Sequence, residues 1–284
     1  MIVRERLFLG LAYHGWSMKQ EHAPVFRRVE ENLRQSFRVL ADGRAGADVT
    51  ELPGISVASL GAAFQMFNAA FPSEPVETQA ELEARLGMTR SHFEEHGRPW
   101  SFWCCEDWLA PDLRRRLSRT CEGFGLRLSS ELAGMVTERI EPPAPRLPAL
   151  DIRRVESTRT LEDFRTVGSI CFHVPIVWFS EVFDENVAAR RRFVCWVGYR
   201  DGVPIATAAT VACDDVAGLY NVATLPNYRG RGCGEAITRY AIAAAMRENK
   251  VERAVLQSTS QGLSLYQRMG FETVTRILVY NSVR

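Results

Sequence analysis

Between an apolar, strand-like run at Leu219–Thr224 and a long helical pattern starting at Gly232 lies the segment Tyr228-Arg229-Gly230-Arg231-Gly232-Cys233-Gly234. Its three glycines alternate with other residues, so the backbone can close on something bulky and charged. The helix that follows turns its free N–H groups and the positive end of its dipole toward the same point. Arg229 and Arg231 add full positive charge. Strand, glycine loop and helix in this order predict an α/β fold that holds a pyrophosphate.

Two common phosphate loops do not fit. A nucleoside-triphosphate loop needs Gly-x-x-x-x-Gly-Lys followed by Ser or Thr, and the lysine is missing here. A dinucleotide loop needs Gly-x-Gly-x-x-Gly, and counting from Gly230 puts Glu235, an anion, at the last glycine.

The rest of the second half reads as alternating elements. Strands are expected at Asp151–Val155, Phe193–Tyr199, Pro204–Cys213, Leu219–Thr224, Arg253–Gln257 and Phe271–Tyr280. Asp201-Gly202 gives a hairpin turn. Helices are expected at Thr160–Ile170, from Val177 to Ala189, from Gly232 to Asn249 and from Gly262 to Met269. In the long one, Cys233, Ala236, Ile237, Tyr240, Ala241, Ala244 and Ala245 share one face.

The first half is less regular. Pro24–Ala41 reads as a helix with Val29, Leu33, Phe37 and Leu40 on one face. Two helices are expected at Gln79–Leu86 and Arg90–His96, and an arginine-rich one at Pro111–Cys121. Ile55–Ser59 and Trp100–Cys105 read as strands, and Gly125–Leu128 and Gly134–Ile140 as two closing strands. Ala62–Phe71 is apolar on most sides. Glu141 to Pro148 holds four prolines in eight residues, which stops both helix and central strand. The boundary is placed there, giving units at residues 1–143 and 149–284. Gly123-Phe124 stands after its helix as Gly270-Phe271 does after its own, which points to an old duplication.

Arg229-Gly230-Arg231-Gly232-Cys233-Gly234 resembles the [Arg/Gln]-x-x-Gly-x-[Gly/Ala] signature of the GNAT superfamily of N-acyltransferases. Leu265-Tyr266-Gln267-Arg268-Met269-Gly270-Phe271 is similar to that family's Leu-Tyr-x-x-x-Gly-Phe element, and the gap between the two suits one helix and one strand. The resemblance covers about residues 150–284. It implies tandem acyl-CoA N-acyltransferase-like domains, each a twisted, mostly antiparallel mixed sheet flanked by helices. It implies acetyl-CoA as cosubstrate, with Val222, Ala223 and Thr224 lending backbone groups to the pantetheine arm. Backbone N–H groups of Arg231, Gly232, Cys233 and Gly234 would meet the pyrophosphate, with Arg229 and Gly230 in the same cradle. Tyr266 would be the general acid that protonates the leaving thiolate; an ordinary phenol, with pKa about 10, keeps its proton at neutral pH.

Thr259 stands where the family often carries Asn, and its hydroxyl can serve the pantetheine or the loop, with Gln257 and Ser258 beside it. Glu181, Asp184, Glu185 and His173 fall on the segments that face substrate in the family, and supply candidates for the base. The first half has Arg119 where the tyrosine would be and no glycine cradle, so it reads as a degenerate copy without catalysis. Cys233 reads as packing, as do Trp100, Phe102, Trp103 and Trp108, and the run Arg114-Arg115-Arg116 as a solvated helix face.

Composition excludes several classes. The net charge is +1, split into −3 over residues 1–145 and +4 over 146–284, so no strong field selects nucleic acid or an anionic membrane. The seven cysteines contain no Cys-x-x-Cys, which argues against a zinc set and a disulfide framework; no metal is expected. Met1–Tyr13 is too short and too charged to span a membrane and lacks a clear cleavage site. The expectation is a cytoplasmic acetyltransferase acting on a primary amine of a small molecule or peptide. The alternative is a non-catalytic acyl-CoA sensor or interaction module.

Overall fold

The computed structural model describes residues 24–143, 146–186 and 192–283. The expectations for Met1–Tyr13 and for the end of the helix drawn to Ala189 lie outside these residues. In chain order the elements are α1 (Phe26–Ala41), β1 (Asp48–Leu52), β2 (Ile55–Ser59), β3 (Asn68–Pro72), α2 (Gln79–Glu95), β4 (Ser101–Cys105), α3 (Pro111–Arg114), α4 (Leu117–Gly123) and β5 (Leu126–Thr137). After the proline-rich stretch come β6 (Asp151–Arg154), α5 (Thr158–Phe172), α6 (Ile176–Val182), β7 (Phe193–Arg200), β8 (Val203–Cys213), β9 (Val216–Thr224), α7 (Cys233–Asn249), β10 (Arg253–Ser258), α8 (Leu263–Arg268) and β11 (Glu272–Ser282).

The eleven strands of the described residues join in one sheet, in the order β1-β2-β3-β4-β11-β5-β10-β9-β8-β7-β6. Two strand pairs are parallel, β3 with β4 and β9 with β10; the others are antiparallel. Thus β5, from the first half, has both neighbours from the second, β10 and β11. In return β11 lies between β4 and β5 of the first half. The mixed sheet is flanked by helices on both faces. Alternation along the central strands sets this up: Ala254 and Leu256 of β10 pack toward α7 and α8, while Val255 packs toward α1. Helix α1 lies over β2 and also over β8, β9, β10 and β5, so one helix ties the halves together.

Several expectations are corrected. Gln79–Glu95 is a single helix, because Gly87 between the two apolar stretches does not break it. The two closing strands are one, Leu126–Thr137; its first part is polar and exposed but still pairs with β11. The Pro111–Cys121 helix breaks at Arg115–Arg116, and Ala62–Phe71 holds a short turn of 3-10 helix, Gln65–Phe67, before β3. Strand β1 is polar and exposed at alternate positions, and no element had been expected there. Trp100, Phe102, Trp103, Trp108 and Cys233 are core residues. Among the described residues no helix is long and apolar enough to cross a membrane.

Candidate functional site

The second parallel pair opens like a fork. Strands β9 and β10 are paired from Val216/Arg253 to Leu219/Leu256, and the pairing stops there. The cause is local. Asn221 takes a left-handed backbone (φ 49°), which Asn tolerates better than most residues, and the β8–β9 register slips at this point. Thr207 Oγ1 donates to Asn221 O at 2.9 Å and holds the bulge. Beyond it, Ala223 and Thr224 pair only with Thr207 and Ala206 of β8. Their other edge faces the gap, where an extended amide-bearing chain can add as a strand.

The glycine loop closes the end of the fork. Leu225 N–H donates to Ile205 O at 2.9 Å, and the turn at Pro226–Tyr228 carries the chain across. Gly230 (φ 72°) and Gly232 (φ 77°) are left-handed, which a side chain would strain. Gly232 is the N-cap of α7 and contributes no side chain as a cap. Ala236 N–H is the first to meet a helical carbonyl, that of Gly232 at 2.9 Å. The donors before it stay available for an anion. A Cβ on Gly234 would lie 3.1 Å from Thr224 Oγ1, so glycine brings the helix start close against β9. Glu235, the anion of the first turn, pairs with Arg239 at 2.8 Å, which offsets its charge. Arg229 folds back, its Nε donating to Thr224 O at 2.9 Å, and Arg231 lies over the Tyr228 ring at 6.0 Å.

Tyr266 sits on α8 beside the end of β10. Its ring meets Phe271 edge-on at 5.9 Å and passes over Gly262, where a Cβ would be 3.0 Å from the ring. The residue is 8% exposed, and burial pushes its phenol well above the ordinary range, so it stays protonated. Among the described residues none hydrogen-bonds its hydroxyl. Thr259 follows β10 directly and is exposed; its carbonyl accepts Ser258 Oγ–H (2.8 Å) and Gly262 N–H (3.1 Å).

The sequence-predicted residues Val222, Ala223, Thr224, Arg229–Gly234, Thr259 and Tyr266 thus gather where the parallel pair ends. Two of the proposed bases, Glu181 and Asp184, are instead engaged with the first half. Glu181 accepts Ala63 N–H (3.1 Å), Asp184 pairs with Arg44 (3.2 Å), and both contacts tie the halves together. His173 ends α5 in a left-handed backbone. Gln257 turns away to Val29 O on α1 (3.5 Å). Sequence reading missed Cys171, whose thiol reaches the Arg229 side chain and the Thr224 backbone. Nothing local marks it, since its partners lie more than fifty residues on. Beside it Ile170, Phe172, Ile176, Val177 and Trp178 are exposed, up to 72% for Val177, and form an apolar flank to the fork.

The first half repeats the fork, but closed. Past the Ala70/Phe102 pair, Val76 N–H donates to Trp108 O (2.8 Å) and Ala110 N–H to Val76 O (3.0 Å), stitching the gap. Helix α2 is capped by its own Thr78, which accepts Glu81 N–H at 3.2 Å, while Glu81 accepts Glu77 N–H at 2.9 Å.

Comparison with known proteins agrees with this geometry. The model of the acetyltransferase (GNAT) domain matches residues 191–273. A GCN5-related N-acetyltransferase from Kribbella flavida superposes with a TM-score of 0.70 at 20% identity, over 92% of this chain and 96% of that one. A functionally unknown conserved protein from Staphylococcus epidermidis gives 0.63 at 14% identity, over 85% and 96%. A tandem GNAT protein from the clavulanic acid biosynthesis pathway gives 0.53 at 12% identity, over 89% and 95%. No curated protein sequence matches the chain.

Proposed function

Since this chain carries a C-terminal GNAT acetyltransferase domain over residues 191–273, we propose that it moves an acetyl group from acetyl-CoA to a primary amine of a small molecule or peptide. The observation that carries the reading is the fork between β9 and β10, which opens beside the uncapped start of α7. Acetyl-CoA, when bound, supplies the activated thioester. The chain does the rest. The free edge of residues 222–224 takes the extended arm, and the N–H groups of residues 231–234 meet the phosphate oxygens. Arg229 and Arg231 balance the phosphate charge. Backbone N–H near Val222 polarises the acyl carbonyl. As the amine attacks directly, the C–N bond forms and the C–S bond breaks; Tyr266, held in its protonated form by burial, donates to the leaving sulfur, and the proton the amine sheds passes to solvent, from which the phenolate is reprotonated. The apolar flank at Ile170–Trp178 favours an amine with an apolar body.

We assign the chemistry to the unit at residues 149–284 and read residues 1–143 as a partner that walls the acceptor side and binds no acyl-CoA itself.

Calorimetry with acetyl-CoA tests the cradle. Wild type should bind and the Gly232→Glu/Gly234→Glu variant should not; wild type that fails to bind ends the reading. Tyr266→Phe then tests the chemistry. Acetyl-CoA affinity should hold while kcat for thiol release over an amine panel falls about 100- to 10,000-fold. Binding without turnover on any amine would instead make the chain an acyl-CoA sensor.

A further inference from the structure

At the far edge of the sheet, β1 meets the last turn of α2. Asp48 opens β1, and His92 and His96 stand one helical turn apart on α2 and just past its end. Each offers one ligand atom, and the three atoms lie within 4.8 Å of one another. His92 Nε2 and Asp48 Oδ2 are 2.5 Å apart. From these positions we propose that Asp48, His92 and His96 form a binding site for a divalent transition metal of the zinc type.

Three details support a built site rather than a chance ion pair. The outer contacts already fix the ligands as metal ligands are usually fixed. Thr50 Oγ1 donates to the other carboxylate oxygen, Asp48 Oδ1, at 2.6 Å, which leaves Oδ2 toward the imidazoles. His96 Nδ1 contacts His92 O at 2.7 Å, so this nitrogen carries the proton and Nε2 keeps its lone pair. Second, the core of the cluster is shielded: the side chains of His92 and Asp48 are 14% and 21% exposed, while His96 is exposed and can swing. Third, the donor set is selective. Two imidazoles and one carboxylate suit Zn²⁺ or Co²⁺ with water in a fourth position, and suit Mg²⁺ or Ca²⁺ poorly. Zinc bonds of about 2.0–2.2 Å need the donors about 3.3 Å apart, so the metal would part His92 Nε2 and Asp48 Oδ2, 2.5 Å apart here, and bring the His96 donor, within 4.8 Å of them, to the same spacing. On binding, the proton between Asp48 and His92 leaves to solvent and the metal takes its place.

The site is not part of the acetyl-transfer machinery. Six strands separate β1 from β9 in the sheet, which at ordinary strand spacing is about 34 Å. Its effect is to pin an edge strand to the end of α2.

The test uses full-length protein stripped of metal by a chelator. Calorimetric titration with Zn²⁺ and Co²⁺ should show one equivalent bound per chain, and Co²⁺ should develop visible d–d absorption that Zn²⁺ quenches and excess Mg²⁺ does not. His96→Ala lies on an exposed residue, so its fold is not at risk. It should weaken uptake about 100-fold or more, since even outer contacts are worth about 10- to 100-fold. Asp48→Asn should behave likewise, and Thr50→Val should weaken uptake about tenfold. Circular dichroism in chelator checks that each variant stays folded. No stoichiometric uptake by wild type, or uptake unchanged in His96→Ala and Asp48→Asn, overturns the proposal.

Discussion

Glu30 is a carboxyl with almost no water. It lies on α1 at 2% exposure, and burial pushes it up from 4.5 to about 7 against the pull of Arg34. The fold therefore favours the protonated form. Its contribution to stability is full below about pH 4.5, declines as pH rises and is gone above about 7. At about 1.4 kcal/mol per unit, the loss over this window is on the order of 3 kcal/mol. Urea midpoints of wild type and Glu30→Gln, taken across the window, should diverge with pH; parallel curves would sink the idea. Gly218 is a second sensitive point. Asn32 of α1 fills the space a Cβ would need, with Oδ1 only 1.7 Å from that position, while it accepts from Tyr220 Oη–H (2.5 Å) and donates to Val211 O (3.1 Å). Gly218→Ala should cost about 1–3 kcal/mol by chemical denaturation. A neutral result would mean that α1 is loosely seated.

At the scale of elements, the reciprocal placement of β5 and β11 decides how the chain can be cut. A fragment of residues 146–283 keeps β10 and β11 but loses the strand between them. It is expected to be insoluble or to melt without cooperativity, and co-expression with residues 1–143 should restore a folded complex. A dispersed spectrum and a sharp melt from the fragment alone would contradict this. Local signals made much of the second half legible. Phe193–Tyr199 is an unbroken apolar run stopped by the Asp201-Gly202 turn, and glycines mark both ends of the loop before α7, so both elements emerge within a residue or two of their ends. Strand β5 was not legible as one piece. Its exposed first part, residues 127–131, has no apolar rhythm, and what holds it is pairing with β11, some 150 residues on. The phosphate cradle was readable because backbone freedom and charge are written in the residues themselves. The bulge at Asn221 that opens the fork, and Cys171 beside it, depend on neighbours that no window contains.

At the scale of the whole molecule, each fork opens at the C-terminal end of its parallel pair, and because three antiparallel pairings lie between β4 and β10 the two face opposite ways along the sheet; among the described residues only the second is open. The closed fork is stitched by Val76 with Trp108 and Ala110, and Arg85 binds the carbonyls of Gly54, Glu74 and Pro75 behind it. Acetyl-CoA should therefore bind once per chain; a calorimetric stoichiometry of two would refute the closed fork. Saturation at about 100 times Kd should add about 2.7 kcal/mol to stability, read as a higher Tm. The position of β11 also has a consequence in time. The ribosome makes residues 272–282 after every other strand, yet they belong in the middle of the sheet, between β4 and β5. Until they emerge, both of those strands wait with bare edges, and the nascent chain cannot fold its halves in turn as they are synthesised. Folding waits until they are made, and a chain paused or truncated before them presents two adhesive strand edges to whatever lies near it.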